Sequence, residues 1–340
     1  MSSHPRFGLA IPNCREGLYY PPSFAGPRAM LDTGIMAEEL GYDSVWVNDH
    51  FTAPKYVENM WREAPNFYDP LITLAALATA TQRIRLGVAV VVMPIREPLV
   101  LAKQASTLDA LSNGRLILGT GLGAYKEEFE ATVPSINTTE RPGLLDERLA
   151  ALVQLLVGSK TTFNGRYTKF VDVELHPKPV QDPFPVYIGG NAEKAIERVV
   201  KFGSGWIPVG LGPTEIEEKV RELRRKASLA NREQSSIEIA PQFTVSIAGS
   251  YEKAVNTYKS SAHYKHFLSL QTSTLRGRSI DNAISKNLMG TPEDIIKSIE
   301  KFVEAGVEHF TAMIFPARRL EEYIRSVKIF AKEVIPSFRS

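Results

Sequence analysis

Much is missing from this sequence, and each absence removes a class of function. Of 340 residues only Cys14 is a cysteine, so neither an intrachain disulfide nor a CxxC metal site can form, which suits a reducing compartment. Lys and Arg total 40 against 38 for Asp and Glu, and the resulting net charge of +2 is spread without a basic run, so nothing favours nucleic acid as a partner. No apolar stretch approaches the roughly 20 residues of a membrane span, and the opening MSSHPRFGLAIP has no basic segment followed by an apolar run. The six histidines join no second His or carboxylate cluster, so no metal site is predicted, and without GxSxG the commonest nucleophile motif is absent. What remains is the expectation of a cytoplasmic protein with no membrane association, a single domain over 1–340, acting on a small molecule.

What is present is organised around Arg83–Lys126, RIRLGVAVVVMPIREPLVLAKQASTLDALSNGRLILGTGLGAYK. It reads as strand, loop, helix, strand and glycine-rich loop. Few polar residues lie inside either strand, so both are expected to be covered on both faces, as in a parallel sheet. The rest of the chain keeps the same alternation. Further strands are predicted at Phe7–Ile11, Ser44–Val47, Val186–Ile188, Gly205–Ile207, Ile237–Ile247 and His309–Ile314. Helices are predicted from Pro27 to Leu40 and at Asp69–Ala80, Leu144–Leu156, Ala192–Phe202, Thr214–Leu229, Tyr251–Phe267, Pro292–Ala305 and Leu320–Val334. Gly41, Gly203 and Gly306 each separate a helix from a strand, as though one joint were reused with glycine in a left-handed conformation. Alternation around Asn164-Gly165 predicts an antiparallel hairpin over 162–173. The stretch 263–290, with Arg276, Arg278 and Lys286, is too long for an ordinary connection and reads as a lid or surface loop. Eight strands alternating with helices predict an α/β fold, a (β/α)8 TIM barrel with these two insertions. An open doubly wound sheet is the rival, weakened because no GxGxxG follows the first strand.

In a barrel the reactive groups belong at the C-terminal ends of the strands. Those ends are Asn48-Asp49-His50, Ala89 to Pro94, Gly119 to Lys126, Gly189-Gly190-Asn191 and Trp206-Ile207-Pro208. Asp49 and His50 can shuttle a proton or hydrogen-bond a cofactor ring, the alternative being a packed loop histidine with Asp49 capping a turn. Ile188-Gly189-Gly190-Asn191 leads straight into a helix whose backbone N–H groups suit a phosphate, or else forms an ordinary turn with Asn191 as N-cap. The Gly119–Gly123 loop is similar, although Leu122 supplies no donor. His4, His176, His263, His266 and His309 read as structural or exposed.

With GYDSVWVNDHF (Gly41–Phe51), GVAVVVMPIREP (Gly87–Pro98), LDALSNGRLILGTGLGAYKEEF (Leu108–Phe129), PVYIGGN (Pro185–Asn191) and MGTPEDII…AGVEHF (Met289–Phe310) in this order, the chain resembles the luciferase-like flavin and deazaflavin oxidoreductases, the bacterial luciferase superfamily. The resemblance implies a (β/α)8 barrel with a tricyclic cofactor ring at its C-terminal face and a non-prolyl cis peptide behind the ring, by position Ala89–Val90. It implies ring or phosphate contacts at Asn48, Gly121, Gly123, Ala124, Tyr125, Ile188, Gly189, Gly190, Asn191 and Trp206.

Departures from the family pattern choose among cofactors. Bacterial luciferases carry a His where this chain has Asp49 and an Arg for the FMN phosphate where it has Leu122. The Asp49-His50 pair instead resembles the branch that uses coenzyme F420. The sugar-phosphate dehydrogenases of that branch place a Glu where Leu122 stands and a Trp where Pro54 stands, which argues against their substrate. The resemblance therefore implies an F420-dependent oxidoreductase exchanging a hydride with a small organic substrate, with His50 and Asp49 handling a proton and Tyr19, Tyr20, Phe51, Trp61 and Tyr125 walling the substrate side. The alternatives are an FMNH₂-dependent monooxygenase, with FMN as cofactor, and a non-catalytic flavin-binding barrel. The small-residue helix surface Leu74-Ala75-Ala76-Leu77-Ala78 suits a homodimer contact.

Overall fold

A computed structural model describes residues 4–270 and 284–339. Its parallel strands are apolar on both faces because they are covered on both faces. β1 (Arg6–Ala10), β2 (Ser44–Val47), β3 (Arg85–Val92), β4 (Leu116–Gly121), β7 (Val186–Gly189) and β8 (Gly205–Ile207) run side by side, and every residue of β2 and β4 is buried. β5 (Thr161–Asn164) and β6 (Lys169–Val173) form the expected antiparallel hairpin apart from this sheet.

The predicted strand Ile237–Ile247 is two segments, β9 (Glu238–Ile239) and β10 (Gln242–Ile247). Pro241 lies between them; it has no N–H to lose from the ladder, so a bend there is inexpensive. Across the bend Ala240 N donates to Trp206 O at 2.8 Å and Thr311 N to Pro241 O at 2.9 Å. One stave thus joins β8 on one side to β12 (His309–Ile314) on the other, and β12 pairs with β1. Eight staves close a barrel, as expected, and β11 (Leu288–Gly290) is an extra edge strand on β10.

Trp46 fills the barrel interior. Its indole lies where a Cβ on Gly8 or Gly87 would stand, 2.3 Å from each ideal position, so the flanking strands must carry glycine at those points. At the joints, Gly41 (φ 81°) and Gly306 (φ 97°) are left-handed as predicted. Gly203 is not: its φ is −90°. It is small because Ile188 Cγ1 approaches to 2.9 Å of its Cβ position.

Helices α1 (Pro27–Glu39), α3 (Pro70–Ala80), α4 (Pro98–Leu111) and α6 (Arg141–Val157) cover one flank. Asp69 caps α3, accepting from Leu71 N at 2.9 Å and Ile72 N at 3.1 Å. Two short helices escaped the periodicity, α2 (Lys55–Met60) and α5 (Lys126–Thr132). The other flank carries α7 (Glu193–Phe202), α8 (Pro213–Leu229) and the helices Pro292–Glu304 and Leu320–Glu333. The predicted helix Tyr251–Phe267 is broken into α9 (Tyr251–Lys259) and α10 (Ala262–Leu270). Ser261 Oγ bonds back to Tyr258 O at 2.6 Å and accepts from Tyr264 N at 3.2 Å, ending one helix and opening the next. The first part of the expected lid is therefore helical. Arg276 and Arg278 lie outside the described residues, and Lys286 pairs with Glu215 at 2.7 Å. Among the described residues no helix is long and apolar enough to cross a membrane, and no group of three or more His, Cys, Asp or Glu is placed to hold a metal.

Candidate active site

At the C-terminal end of β2 the chain presents Asn48, Asp49 and His50 in three different environments. Asn48 is clasped to the loop after β1: its N–H donates to Asn13 Oδ1 at 2.9 Å, and Asn13 Nδ2 donates to Asn48 O at 2.8 Å. Its own Oδ1 is buried with no partner among the described residues, an acceptor with nothing to accept from.

Asp49 is not the partner of His50. Its side chain accepts from Arg96 Nη2 at 2.5 Å, from Arg96 Nε at 3.1 Å and from Val92 N at 3.0 Å. Arg96 reaches on to Asp69 at 3.0 Å. Burial alone would lower the Arg96 pKa, but Asp49 and Asp69 outweigh it and raise it. The fork locks the end of β2 to the end of β3, with three of the carboxylate's acceptor sites committed to Arg96 and Val92 N–H.

The partner of His50 is Glu128, from the first turn of α5. His50 Nδ1 lies 3.2 Å from Glu128 Oε1, which also accepts the Phe51 N–H at 2.8 Å. Glu128 is fully buried, and its Oε2 has no partner among the described residues. Charge-rich KEEFE reads as a solvated helix face, so only folding reveals that one of its carboxylates points inward. Aromatic rings enclose the pair: Tyr125 at 5.0 Å and Phe67 at 5.8 Å from His50, with Tyr19, Tyr56 and Trp61 packed in the same cluster. Tyr56 hydrogen-bonds to His266 Nδ1 from α10 and to Tyr125. Burial pushes the Tyr56 hydroxyl up to about 12 and His266 down to about 3, so both are neutral at pH 7.

Beside this cluster the Ala89–Val90 peptide is cis, and the β3–β4 register shifts there. Both residues are half-buried. Val90 rests on two glycines: a Cβ on Gly121 would meet Val90 Cγ2 at 2.5 Å, and one on Gly189 would meet Cγ1 at 3.0 Å. This cradle of Val90 on two glycines, and the buried Asn48 Oδ1 with no partner among the described residues, fit the tricyclic ring that the resemblance implies. Gly123 (φ 79°), Ala124 and Tyr125 then turn into α5.

The second glycine loop differs from expectation in detail. Gly190 N donates to Ile207 O at 3.1 Å, and Asn191 is no N-cap: its amide spans Val209, donating to O at 2.7 Å and accepting from N at 3.1 Å. The N-cap of α7 is Ala192, with no side-chain cap, and Ala195 N–H is already used on Ala192 O at 2.8 Å, which leaves at most the Glu193 and Lys194 N–H groups of the first turn for an anion. Ile188 and Trp206 have no surface to offer a ligand; both are buried, and Trp206 Nε1 donates to Gly190 O at 2.7 Å. They shape the loop from behind. Tyr20 is likewise core, stacked 4.1 Å from Phe24 with its hydroxyl on Phe315 O. Tyr19 and Trp61 are only partly buried at the mouth, and Phe51 is exposed beneath the Arg96 guanidinium at 4.5 Å.

Residues 5–309 match the family model described as luciferase-like monooxygenase. Over 334 aligned residues, 93% of this chain and 96% of the relative, the sequence is 27% identical to an F420-dependent glucose-6-phosphate dehydrogenase of Amycolatopsis mediterranei. Among solved structures, a monooxygenase from Streptomyces bottropensis matches with TM-score 0.81 at 21% identity, covering 98% of this chain and 99% of that one. An F420-dependent secondary alcohol dehydrogenase in complex with an F420-acetone adduct matches with TM-score 0.78 at 24% identity, covering 99% and 100%. Both likenesses are likenesses of fold.

Proposed function

The chain belongs to the luciferase-like monooxygenase family, and from that premise we propose that it is an F420-dependent oxidoreductase exchanging a hydride between deazaflavin and a small organic substrate. The observation that carries this reading is the β2 terminus: Asp49, held by Arg96 and Val92 N–H, stands where the FMN-using luciferases carry His, and His50 beside it is held separately by Glu128. Leu122, exposed and apolar in place of a phosphate-gripping Arg, points the same way. The named relative is a sugar-phosphate enzyme, but Leu122 and Pro54 lack the side chains that its branch uses, so a different substrate is inferred.

When bound, the deazaflavin supplies the hydride carrier. The chain supplies position. Ala89 and Val90 would back the ring, Asn48 Oδ1 would offer it an acceptor, and the Gly123–Tyr125 turn with the α7 N-terminus would hold the phosphate. His50, oriented by Glu128 through Nδ1, keeps Nε2 for a proton on the substrate. Tyr19, Trp61 and Tyr125 exclude water. Titrating the purified protein with F420 and with FMN under identical conditions is expected to give tight F420 binding and at least about tenfold weaker FMN binding. Tight FMN binding with no response to F420 would sink the assignment and favour the monooxygenase reading.

We also infer a homodimer. Of the surface read from sequence, Leu74, Leu77 and Ala78 are buried in their own chain and Ala76 is exposed, so the face offered to a partner keeps only part of it. That face also comprises Ile72 (69% exposed) on α3 and Val100 (55%) on the adjoining α4. Light scattering at micromolar concentration is expected to read twice the chain mass, and the double variant I72E/V100E the chain mass. A wild-type monomer removes the inference.

A further inference from the structure

We propose that Arg15 and His263 form an anchor for a carboxylate carried by the substrate, a site that is electrically incomplete until that anion is bound. Arg15 follows β1 and is fully buried, yet only its Nε is used, donating to Ile11 O at 2.9 Å. Nη1 and Nη2 have no partner among the described residues. The adjacent acid is already committed: Glu16 accepts from the N–H groups of Ser23, Ala25 and Asn66. Tyr19 lies against the guanidinium, its ring centroid 5.3 Å from Cζ. On the same ring, edge-on at 4.5 Å, stands His263 of α10, buried and with Nδ1 unpartnered among the described residues.

Two buried, unsatisfied polar side chains therefore share one aromatic wall. A buried cation without a counter-ion is strongly unfavourable, and an arginine keeps its charge where a lysine would lose it. Burial lowers both groups, and Arg15 lowers His263 further, so the imidazole is neutral and has one N–H to give. Two parallel guanidinium N–H groups match the two oxygens of a carboxylate, and an imidazole N–H adds a third contact. Tyr19 is the partly exposed ring between this pair and solvent.

Position separates the anchor from the cofactor phosphate. The α7 N-terminus follows β7, and in the closed barrel three staves lie between β1 and β7 in either direction. Arg15 therefore follows the stave opposite the one that leads into α7. The inference rests on the proposed function only in calling the anion a substrate group.

The test uses the full chain without deazaflavin, so it stands even if the cofactor assignment fails. Calorimetry and thermal shift with formate, acetate and benzoate are set against acetamide, benzamide and phenyl phosphate. At least one carboxylate is expected to bind and raise Tm, its amide not to, and R15Q to lose about 30-fold or more in that affinity. R15K, which keeps the charge and loses the fork, should lie between, and H263F should lose several-fold; if R15Q does not fold, these two carry the comparison. F420 affinity of R15Q should stay within about threefold of wild type. Equal binding of carboxylate and amide, no carboxylate binding at high millimolar concentration, a preference for phenyl phosphate, or unchanged carboxylate affinity in the variants each overturns the proposal. So does a parallel loss of F420 affinity, which would assign Arg15 to the cofactor tail.

Discussion

His50→Ala is expected to lower kcat/KM by about 10²- to 10³-fold, the usual range for removing a positioned acid or base, while F420 affinity stays within about threefold. The split follows from where the imidazole is held. Its Nδ1 is occupied 3.2 Å from Glu128 Oε1, and the same oxygen binds the Phe51 N–H, so the carboxylate fixes both the ring and the backbone that carries it. The remaining nitrogen, Nε2, is the one left for a substrate, on a ring bordered by Tyr125 and Phe67. The cofactor bed is built from other residues, Val90 on Gly121 and Gly189, and losing an imidazole beside it should leave binding intact. Glu128→Gln keeps volume and removes the charge that orients the ring, so its loss in kcat should be smaller, about tenfold, with KM little changed. Steady-state kinetics on any turned-over alcohol or ketone, paired with equilibrium F420 titration, reads both quantities. Turnover of His50→Ala within threefold of wild type would remove the role given to His50; equal losses of turnover and cofactor affinity would make it a structural post.

The barrel was legible because buried parallel strands are runs of apolar residues whatever surrounds them, and Phe7–Ala10, Ser44–Val47 and His309–Ile314 are such runs. Gly121 and Gly189 read from sequence only as turn or phosphate-loop glycines; that they make room for the Val90 side chain is seen only in the fold. What the sequence could not display were long-range charge assignments. Asp49 lies beside His50 in sequence, and adjacency suggests a pair; yet neighbouring residues on an extended chain point to opposite sides, and the acid found Arg96 while the imidazole found Glu128, 78 residues on. Arg15 and His263 are equally remote from one another. Spacing alone carries no information about such a meeting. Chain breaks were missed where one serine or proline settles them, Ser261 between α9 and α10 and Pro241 between β9 and β10.

The second large effect is expected at the opposite end of the barrel. Glu238 is mostly buried, 3.0 Å from His309 Nδ1 and 2.7 Å from Arg6 Nη2, and it accepts from the Tyr187 hydroxyl. His309 Nε2 lies 2.7 Å from Ser44 Oγ, which takes the Trp46 Nε1–H at 2.7 Å. Serine, histidine and glutamate in this order have the outline of a nucleophile relay. Here Ser44 and His309 are fully buried at the N-terminal ends of their strands, away from the face where barrel chemistry sits. The network ties β1, β2, β7, β9 and β12 together and holds Trp46 in its slot. Burial would push the Glu238 carboxyl up, but His309, Arg6 and Tyr187 outweigh it and hold it at about 2. In the unfolded chain the group titrates near 4.5, so its contribution is full above that value and is lost as pH falls toward 2. The gap is worth on the order of 3 kcal/mol at pH 7 and about half of that at pH 3. Glu238→Gln should therefore lose about 3 kcal/mol in urea denaturation at pH 7, a loss shrinking to about half near pH 3 as the wild type gives up the same interaction. A Glu238→Gln protein as stable as wild type at pH 7, or a deficit that does not change with pH, would show that Trp46 and its glycine slots hold the barrel floor without the charge.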